Sequence, residues 1–411
     1  MTAMFPRAPR LATPLADVTA LRALQIGMWW QTERSGGLDR VYANLVEHLP
    51  AVGVEIAGLV QGPQDVSEIT SGRVRSFASE NAGLIGRLGS IRRTMREQIQ
   101  SFDPQVVAVH FALYAAMTRH ELRRLPLVVH FHGPWSGEAA QEGASRSVVA
   151  AKRLVERRVY RRADRVIVLS NAFARLVSEE FGVAENRLRL VPGHVDLARF
   201  AVAETKTQAR QVLGWPLDRP ILVSVRRLTS RMGLDRLITA MRRVVLAEPD
   251  VLLCIAGTGP LAERLQQQVA QTGLARQIRF LGFVPEGLLP LVYRAADINV
   301  VPTLALEGFG LVAAEALAAG TPSMVTPVGG LPEVVGPLSQ DLVFGSTLPD
   351  SIADGLIAAL RGTIRLPDAL ACQTYAAAQF ASDLAVRRTA AVYRELVDAS
   401  RRPASGERVR T

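Results

Sequence analysis

Two glutamates, Glu307 and Glu315, flank a Gly308-Phe309-Gly310 turn, and their spacing joins two kinds of chemistry. An apolar run with Pro302 precedes the turn. The pattern over 312–319 predicts a helix ending at Gly320-Thr321-Pro322. Glu307 is thereby expected at the tip of a strand, with the N–H groups of Phe309 to Leu311 at the open start of the helix. Such a start attracts anions, because its first amides lack intrahelical partners and the helix dipole is positive there. Glu315 lies two turns further on, on a face close to that of Leu311. A carboxylate beside an anion cradle, with a second behind it, suits a ligand carrying both phosphate and several hydroxyls. A nucleotide sugar is such a ligand. An ordinary strand–helix unit with a glycine-rich loop is the plainer alternative, since short motifs also arise by chance.

Other constellations carry compatible chemistry. Ser35-Gly36-Gly37 opens the first helix, where glycines permit close approach of backbone N–H groups to a phosphate. His130-Phe131-His132 ends another strand, and alternation places both histidines on one face, with His132 nearer the carboxyl end. His130 reads as structural, and His110 as a further lining residue. No carboxylate or cysteine at ligand spacing accompanies these histidines, so no metal site is expected. Arg226-Arg227-Leu228 ends the strand 221–225, where a fixed guanidinium can hold a phosphate through paired hydrogen bonds. Gly257-Thr258-Gly259 follows the strand 251–256 and resembles a dinucleotide fingerprint, which raises a nicotinamide-dependent oxidoreductase as a rival reading. Against it, Pro260 occupies a variable position and no acidic residue ends the strand 278–283.

The elements that must position these residues alternate between strand and helix, which argues a mostly parallel α/β architecture. Strand candidates are 24–28, 54–60, 106–111, 127–131 and 166–169, then 221–225, 251–256, 278–283, 298–301 and 323–325. Helical stretches such as 38–49 and 145–163 lie between them. The polar stretch 196–220, with Pro216 and Pro220, reads as a joint between two doubly wound domains that face one cleft with the carboxyl ends of their strands. At 411 residues the chain is long enough for two or three domains.

The Glu-x7-Glu spacing, the Gly-Phe-Gly and the following Gly-Thr-Pro together resemble the signature of family 4 retaining glycosyltransferases. The resemblance extends over roughly residues 24–396. It implies the GT-B fold, two Rossmann-like domains facing a central cleft. The first domain would span 1–200 and be completed by a helix within 380–400. The second would span 201–379, leaving a polar tail at 401–411. It further implies that Glu307 and the amides of Gly308, Phe309, Gly310 and Leu311 hold the donor sugar, while Glu315 holds the ribose. Gly36 and Gly37 would touch the donor phosphate on closure, and His132 would lie near the reacting centre. Arg227 would pair with the diphosphate, Gly257 and Gly259 would border the nucleotide, and Val284 in the loop 281–284 would meet the base. The lysine usual in this family is Met232 here. Arg231 or Arg226 must supply the second positive charge, or the site works with one; Arg231, as the adjacent residue, is expected to turn inward. The implied partners are a nucleotide diphosphate sugar and a hydroxyl acceptor, with no cofactor, and the implied chemistry retains the anomeric configuration without a covalent nucleophile.

Composition narrows the remaining classes. The net charge of +10 is carried almost wholly by arginine, since Lys152 and Lys206 are the only lysines. No uninterrupted apolar run of membrane-spanning length occurs, and residues 1–20 lack the continuous apolar core of a signal peptide, so a cytoplasmic location is expected. Cys254 and Cys372 offer no disulfide framework. Arg92, Arg93 and Arg96, and the arginines of 146–165 with Lys152, form two basic clusters. They read as solvated faces or as attraction to anionic lipid or an acidic acceptor, which makes peripheral contact with a membrane a possible partner role. Without interleaved aromatics or a recognisable module, nucleic acid is not an expected partner. No Asp-x-Asp occurs, so metal-dependent diphosphate binding is not inferred.

Overall fold

The computed structural model describes residues 20–30, 37–63 and 65–401. Ser35 and Gly36 of the first glycine loop, and residues 402–411 of the expected tail, lie outside the described residues. Among the described residues, twelve strands form two parallel sheets. The first contains β1 (Leu21–Trp29), β2 (Val54–Gln61), β3 (Val74–Ala78), β4 (Val106–Val109), β5 (Leu127–Phe131), β6 (Arg165–Val168) and β7 (Leu188–Leu190). Their order is β3-β2-β1-β4-β5-β6-β7. The second contains β8 (Ile221–Val225), β9 (Leu252–Ala256), β10 (Ile278–Gly282), β11 (Ile298–Val301) and β12 (Ser323–Val325), in the order β10-β9-β8-β11-β12.

Helices cover both faces of each sheet, so central strands are buried on both sides and read as continuous apolar runs. Every residue of β9 is buried, Cys254 included. Burial pushes the Cys254 thiol up to about 11 and that of Cys372 up to about 12, leaving both protonated at neutral pH. The helix Leu234–Ala247 buries Leu234, Leu237, Ile238, Met241 and Val244, a stripe at helical spacing, in the core of the second sheet. Each such fully buried side chain contributes roughly 1.5–3 kcal/mol. The expected helices at 38–49, 145–163 and 312–319 are Gly37–His48, Arg146–Arg162 and Leu311–Ala318.

The helix Ser382–Arg401 packs on the first sheet, not on the second that it follows in sequence. Its Val386, Ala390, Tyr393 and Val397 share an apolar cluster with Ala23, Val106 and Ile167. Glu395 on the same helix takes both Arg165 and Arg189 from the adjoining strands. The hydrogen bond from Arg189, with Arg165 beside it, outweighs partial burial and holds the Glu395 carboxyl at about 2.

In each sheet the strand order reverses at one place, between β1 and β4 and between β8 and β11. Crevices open at the carboxyl ends of strands at such switch points. Both crevices hold the residues that the sequence singles out.

Candidate active site

In the second domain, β11 ends at Val301, so Glu307 does not stand at a strand tip as expected; the loop 302–310 carries it. Close backbone approaches pin that loop. Leu304 N–H donates to the Arg231 carbonyl (2.8 Å), and Gly330 N–H to that of Glu307 (2.9 Å). A Cβ on Gly329 (φ +56°) would come within 1.9 Å of the Glu307 carbonyl, so no other residue fits there. Leu306 adopts φ +56° without being glycine, a conformation that costs about 1–2 kcal/mol. Its carbonyl is held by Arg231 Nη1 (3.2 Å).

The helix Leu311–Ala318 then starts at Gly310 with no side-chain cap. Leu311 and Val312 N–H precede its first hydrogen bond, from Ala313 N–H to the Gly310 carbonyl (2.8 Å). The Phe309 ring turns away from the cleft, packing on Gly193 and edge-on against Phe380 at 5.3 Å. Only the backbone of Phe309 can meet a ligand.

Charges converge on this loop. Arg226, buried just beyond β8, donates through Nη2 to Glu307, to Thr303 Oγ1 (2.6 Å) and to Met232 Sδ (2.8 Å). Burial alone would raise the Glu307 carboxyl; the charge and hydrogen bond of Arg226, with Arg231 behind, hold it below the ordinary value. Both candidate arginines turn inward: Arg226 takes the place beside Met232, while Arg231, mostly buried, lies within electrostatic reach of Glu307. Arg231 also reaches across the cleft to Glu138 (3.2 Å). It starts one residue away on the short helical turn Ser230–Met232, pointing to the other wall. Arg227 is exposed, within electrostatic reach of Arg231.

Glu315 is buried against the first domain. Its carboxylate accepts from Arg40 (2.9 Å) and from the Tyr293 hydroxyl (3.2 Å). Burial raises its pKa, with Arg40 opposing. Arg40 also pairs with Glu286, which Arg199 shares. Gly37, at the start of the Arg40 helix, faces Leu311 so closely that a Cβ there would lie 3.4 Å from the leucine side chain.

The first-domain crevice is built of uncharged polar groups. His110 stacks on His130 with ring centroids 4.2 Å apart and on His132 at 5.2 Å. The Gln25 amide donates to the Tyr393 hydroxyl (3.3 Å), and its oxygen meets His110 Nε2 (3.1 Å). His110 Nδ1 meets His132 Nε2 (3.0 Å), and His130 Nε2 meets Tyr393 (2.9 Å). One proton assignment satisfies this chain: His110 protonated on Nε2, and His132 donating from Nε2 to His110 Nδ1. His132 then presents only its Nδ1 lone pair elsewhere. Burial pushes the His132 imidazole down to about 3, so it is neutral at any ordinary pH.

The glycines Gly257 and Gly259 serve backbone packing. Arg226 N–H donates to the Ala256 carbonyl (2.9 Å) and Leu228 N–H to that of Thr258 (2.9 Å), and a Cβ on Gly257 (φ +134°) would strike the Arg226 carbonyl at 1.9 Å. The fingerprint-like sequence therefore joins the β8 and β9 loops. Val284, two residues past β10, is half-buried against the second core. Among the described residues, no group of three or more His, Cys, Asp or Glu is placed to hold a metal ion.

Residues 35–199 match the family model "Glycosyltransferase Family 4", and residues 205–378 match "Glycosyl transferases group 1". The D-inositol 3-phosphate glycosyltransferase of Corynebacterium jeikeium is 31% identical over 92% of this chain and 95% of its own length. The chain belongs to glycosyltransferase family 4. An uncharacterized glycosyltransferase of Methanocaldococcus jannaschii is 34% identical to it over 46% of this chain; that match spans about half, 49%, of the relative. Sucrose-phosphate synthase from Thermosynechococcus elongatus superposes with a TM-score of 0.76 at 22% identity, covering 92% of this chain and all of that one. Anabaena HepE in complex with UDP-glucose gives 0.73 at 18% identity, with the same coverage. These structures establish the GT-B fold for the glycosyltransferase.

Several residues at the transferase's cleft were not legible in sequence: Arg40, Tyr293, Glu138, Gln25 and Tyr393. All are single polar residues on helices or strands, and their partners are 22 to 368 positions away. Arg226 stood in the motif, but nothing local said which way it points.

Proposed function

We propose that this glycosyltransferase moves a sugar from a nucleoside diphosphate sugar to an acceptor hydroxyl with retention at the anomeric carbon. The observation that carries the reading is the Glu307 carboxylate, held ionised at the cleft beside the uncapped helix start at Leu311. In this reading Glu307 accepts hydrogen bonds from sugar hydroxyls, and the amides from Gly308 to Leu311 receive the phosphates. Arg227 neutralises the leaving diphosphate, and Glu315 takes the ribose once Arg40 yields to it. Neutral His132 offers its free nitrogen to a sugar hydroxyl. Gly36 and Gly37 touch the donor phosphate on closure, Gly257 and Gly259 border the nucleotide, and Val284 meets the base. Residues 1–200, completed by the helix within 380–400, present the acceptor, and residues 201–379 hold the donor.

The cationic and amide groups supply charge stabilisation at the leaving oxygen, so the chemistry is assigned without a metal ion. Relatives support a hydroxyl-rich acceptor: one is named for D-inositol 3-phosphate, and another, from Corynebacterium glutamicum, for GDP-mannose and a phosphatidylinositol monomannoside. Peripheral contact with anionic lipid fits Leu84 and Ile85, exposed at the start of an arginine-bearing helix. No helix of the described residues is long and apolar enough to cross a membrane.

The test is incubation with UDP-glucose and GDP-mannose, following release of the nucleoside diphosphate and the anomeric configuration of the product. Inversion would refute retention, and release from neither donor, with NADH bound instead, would refute the transferase. Sedimentation with phosphatidylglycerol vesicles checks the lipid contact.

A further inference from the structure

The hydrogen bonding of Arg226 is out of balance. Its Nη2, with two hydrogens, serves three acceptors: Glu307, Thr303 Oγ1 and Met232 Sδ. The neighbouring Nε–H is buried and has no partner at all. A buried donor left without an acceptor is expensive, about 1–3 kcal/mol and more for a charged group, so such a group calls for a reason. Arg226 also sits where three positive charges meet, since Arg231 senses both Arg226 and Arg227. Glu307 and Glu138 answer them, Glu138 being spent on Arg231 across the cleft. An arginine cluster in excess over its carboxylates, at the carboxyl end of β8, has room for one more anion.

We propose that Arg226 is a catalytic cation of this enzyme, with Glu307 as its resting counter-ion. On donor binding the guanidinium turns so that its idle Nε–H donates to the diphosphate, while Nη2 stays on the carboxylate that faces the sugar. The inference rests on the transferase reading and deepens it. As the bond from the anomeric carbon to the phosphate oxygen breaks, its electron pair stays on that oxygen. The acceptor oxygen bonds to the carbon and its proton passes to the departing phosphate, giving glycoside and nucleoside diphosphate. Arg226 meets the charge that grows on the leaving oxygen, in a site where fixed donors need no reorganisation. Because one guanidinium touches both Glu307 and the phosphate, sugar placement and leaving-group stabilisation become one hydrogen-bonded unit. Contact with Met232 Sδ further means that a cation at 232 would occupy the space the guanidinium fills, so the two positions are alternatives.

Arg226→Gln, which keeps amide hydrogens without charge, and Arg226→Gly are compared with the parent enzyme for turnover of UDP-glucose and GDP-mannose. Turnover is expected to fall roughly 100-fold or more, as for loss of a transition-state donor. The affinity advantage of UDP over UMP, or of GDP over GMP, measured by calorimetry, should shrink about 10-fold in both variants. Met232→Lys placed in the Arg226→Gly background should recover at least about 10-fold of the lost turnover. Arg231→Ala should cost less than Arg226→Gln. An unchanged diphosphate advantage, or a folded double variant no more active than Arg226→Gly, overturns the proposal. A parent enzyme that binds the diphosphates with this arginine-dependent advantage yet turns over neither donor would instead sink the transferase reading.

Discussion

At the carboxyl edge of the first sheet, helix starts already hold carboxylates of the protein itself. Glu156 accepts from the N–H groups of Trp135 (2.7 Å) and Ser136 (3.0 Å), and Glu333, arriving from the second domain, accepts from those of Asn171 and Ala172 (both 2.8 Å). At the edge of the second sheet, the helix Leu311–Ala318 begins on Gly310 without a side-chain cap. The same local physics therefore ends differently on the two walls. Amides at Trp135 and Asn171 are taken and lend stability, whereas those at Leu311 remain available to a ligand. The walls differ in charge as well: Arg226, Arg227 and Arg231 gather on the second, while His110, His130 and His132 are all kept neutral by burial on the first. In the proposed reading, the arginine-bearing wall and the neutral histidines opposite it would give the donor's phosphates a single orientation.

The largest effect that tests this contrast is expected at Glu307. Glu307→Ala should lower turnover roughly 100-fold or more while leaving affinity for bare UDP or GDP within a few-fold. Equal losses in both would dissolve the division between sugar-facing and nucleotide-facing carboxylates. Glu315→Ala should act in the opposite sense, weakening nucleotide affinity about 10- to 100-fold, the scale of a charged hydrogen bond, as read by calorimetry.

On the first wall, Glu156→Gln should cost about 1–3 kcal/mol of folding stability in denaturant melts, with nucleotide affinity preserved. A loss of affinity there would mean that the two walls are not separable.

Acid sharpens the difference between the two glutamates. Glu315 has a raised pKa and Glu307 a depressed one, so on lowering the pH Glu315 is protonated first. Nucleotide affinity should weaken at a higher pH than the one at which turnover of the saturated enzyme falls. Coincident profiles would contradict this order. The smallest effect is expected from chelation: with arginines and amides assigned to the diphosphate, EDTA should leave turnover unchanged, and loss with rescue by magnesium or manganese would reverse that assignment.

Much of the fold was legible because central parallel strands such as β8 and β9 are continuous apolar runs. The edge strands β3 and β7 were missed, since half-exposed sequences such as Val74–Ala78 and Leu188–Leu190 lack that signature. Spacing singled out Glu307 and Glu315 as candidates, and the structure sets each against an arginine. The placing of Glu307 at a strand tip failed because the loop 302–310 is shaped by Gly329 and Gly330, more than twenty residues later. Arg226 against Arg231 was undecidable locally. Strand-end geometry aims one at Glu307, and a short helical turn aims the other across the cleft.

Tyr393 gives the first crevice an order of assembly. Its hydroxyl bonds Gln25, 368 positions earlier, and His130, 263 positions earlier. During synthesis the first sheet can form its strands and early helices while the second half is still being made, since domains generally fold as units from the amino end. Until residue 393 leaves the ribosome, however, Gln25 and His130 lack the hydroxyl that links them, and the apolar faces of β1 and β4 lack the helix that covers them. The nascent first domain therefore keeps an apolar face uncovered until the second domain has been made. Completion of its histidine array likewise waits until the second domain has been made.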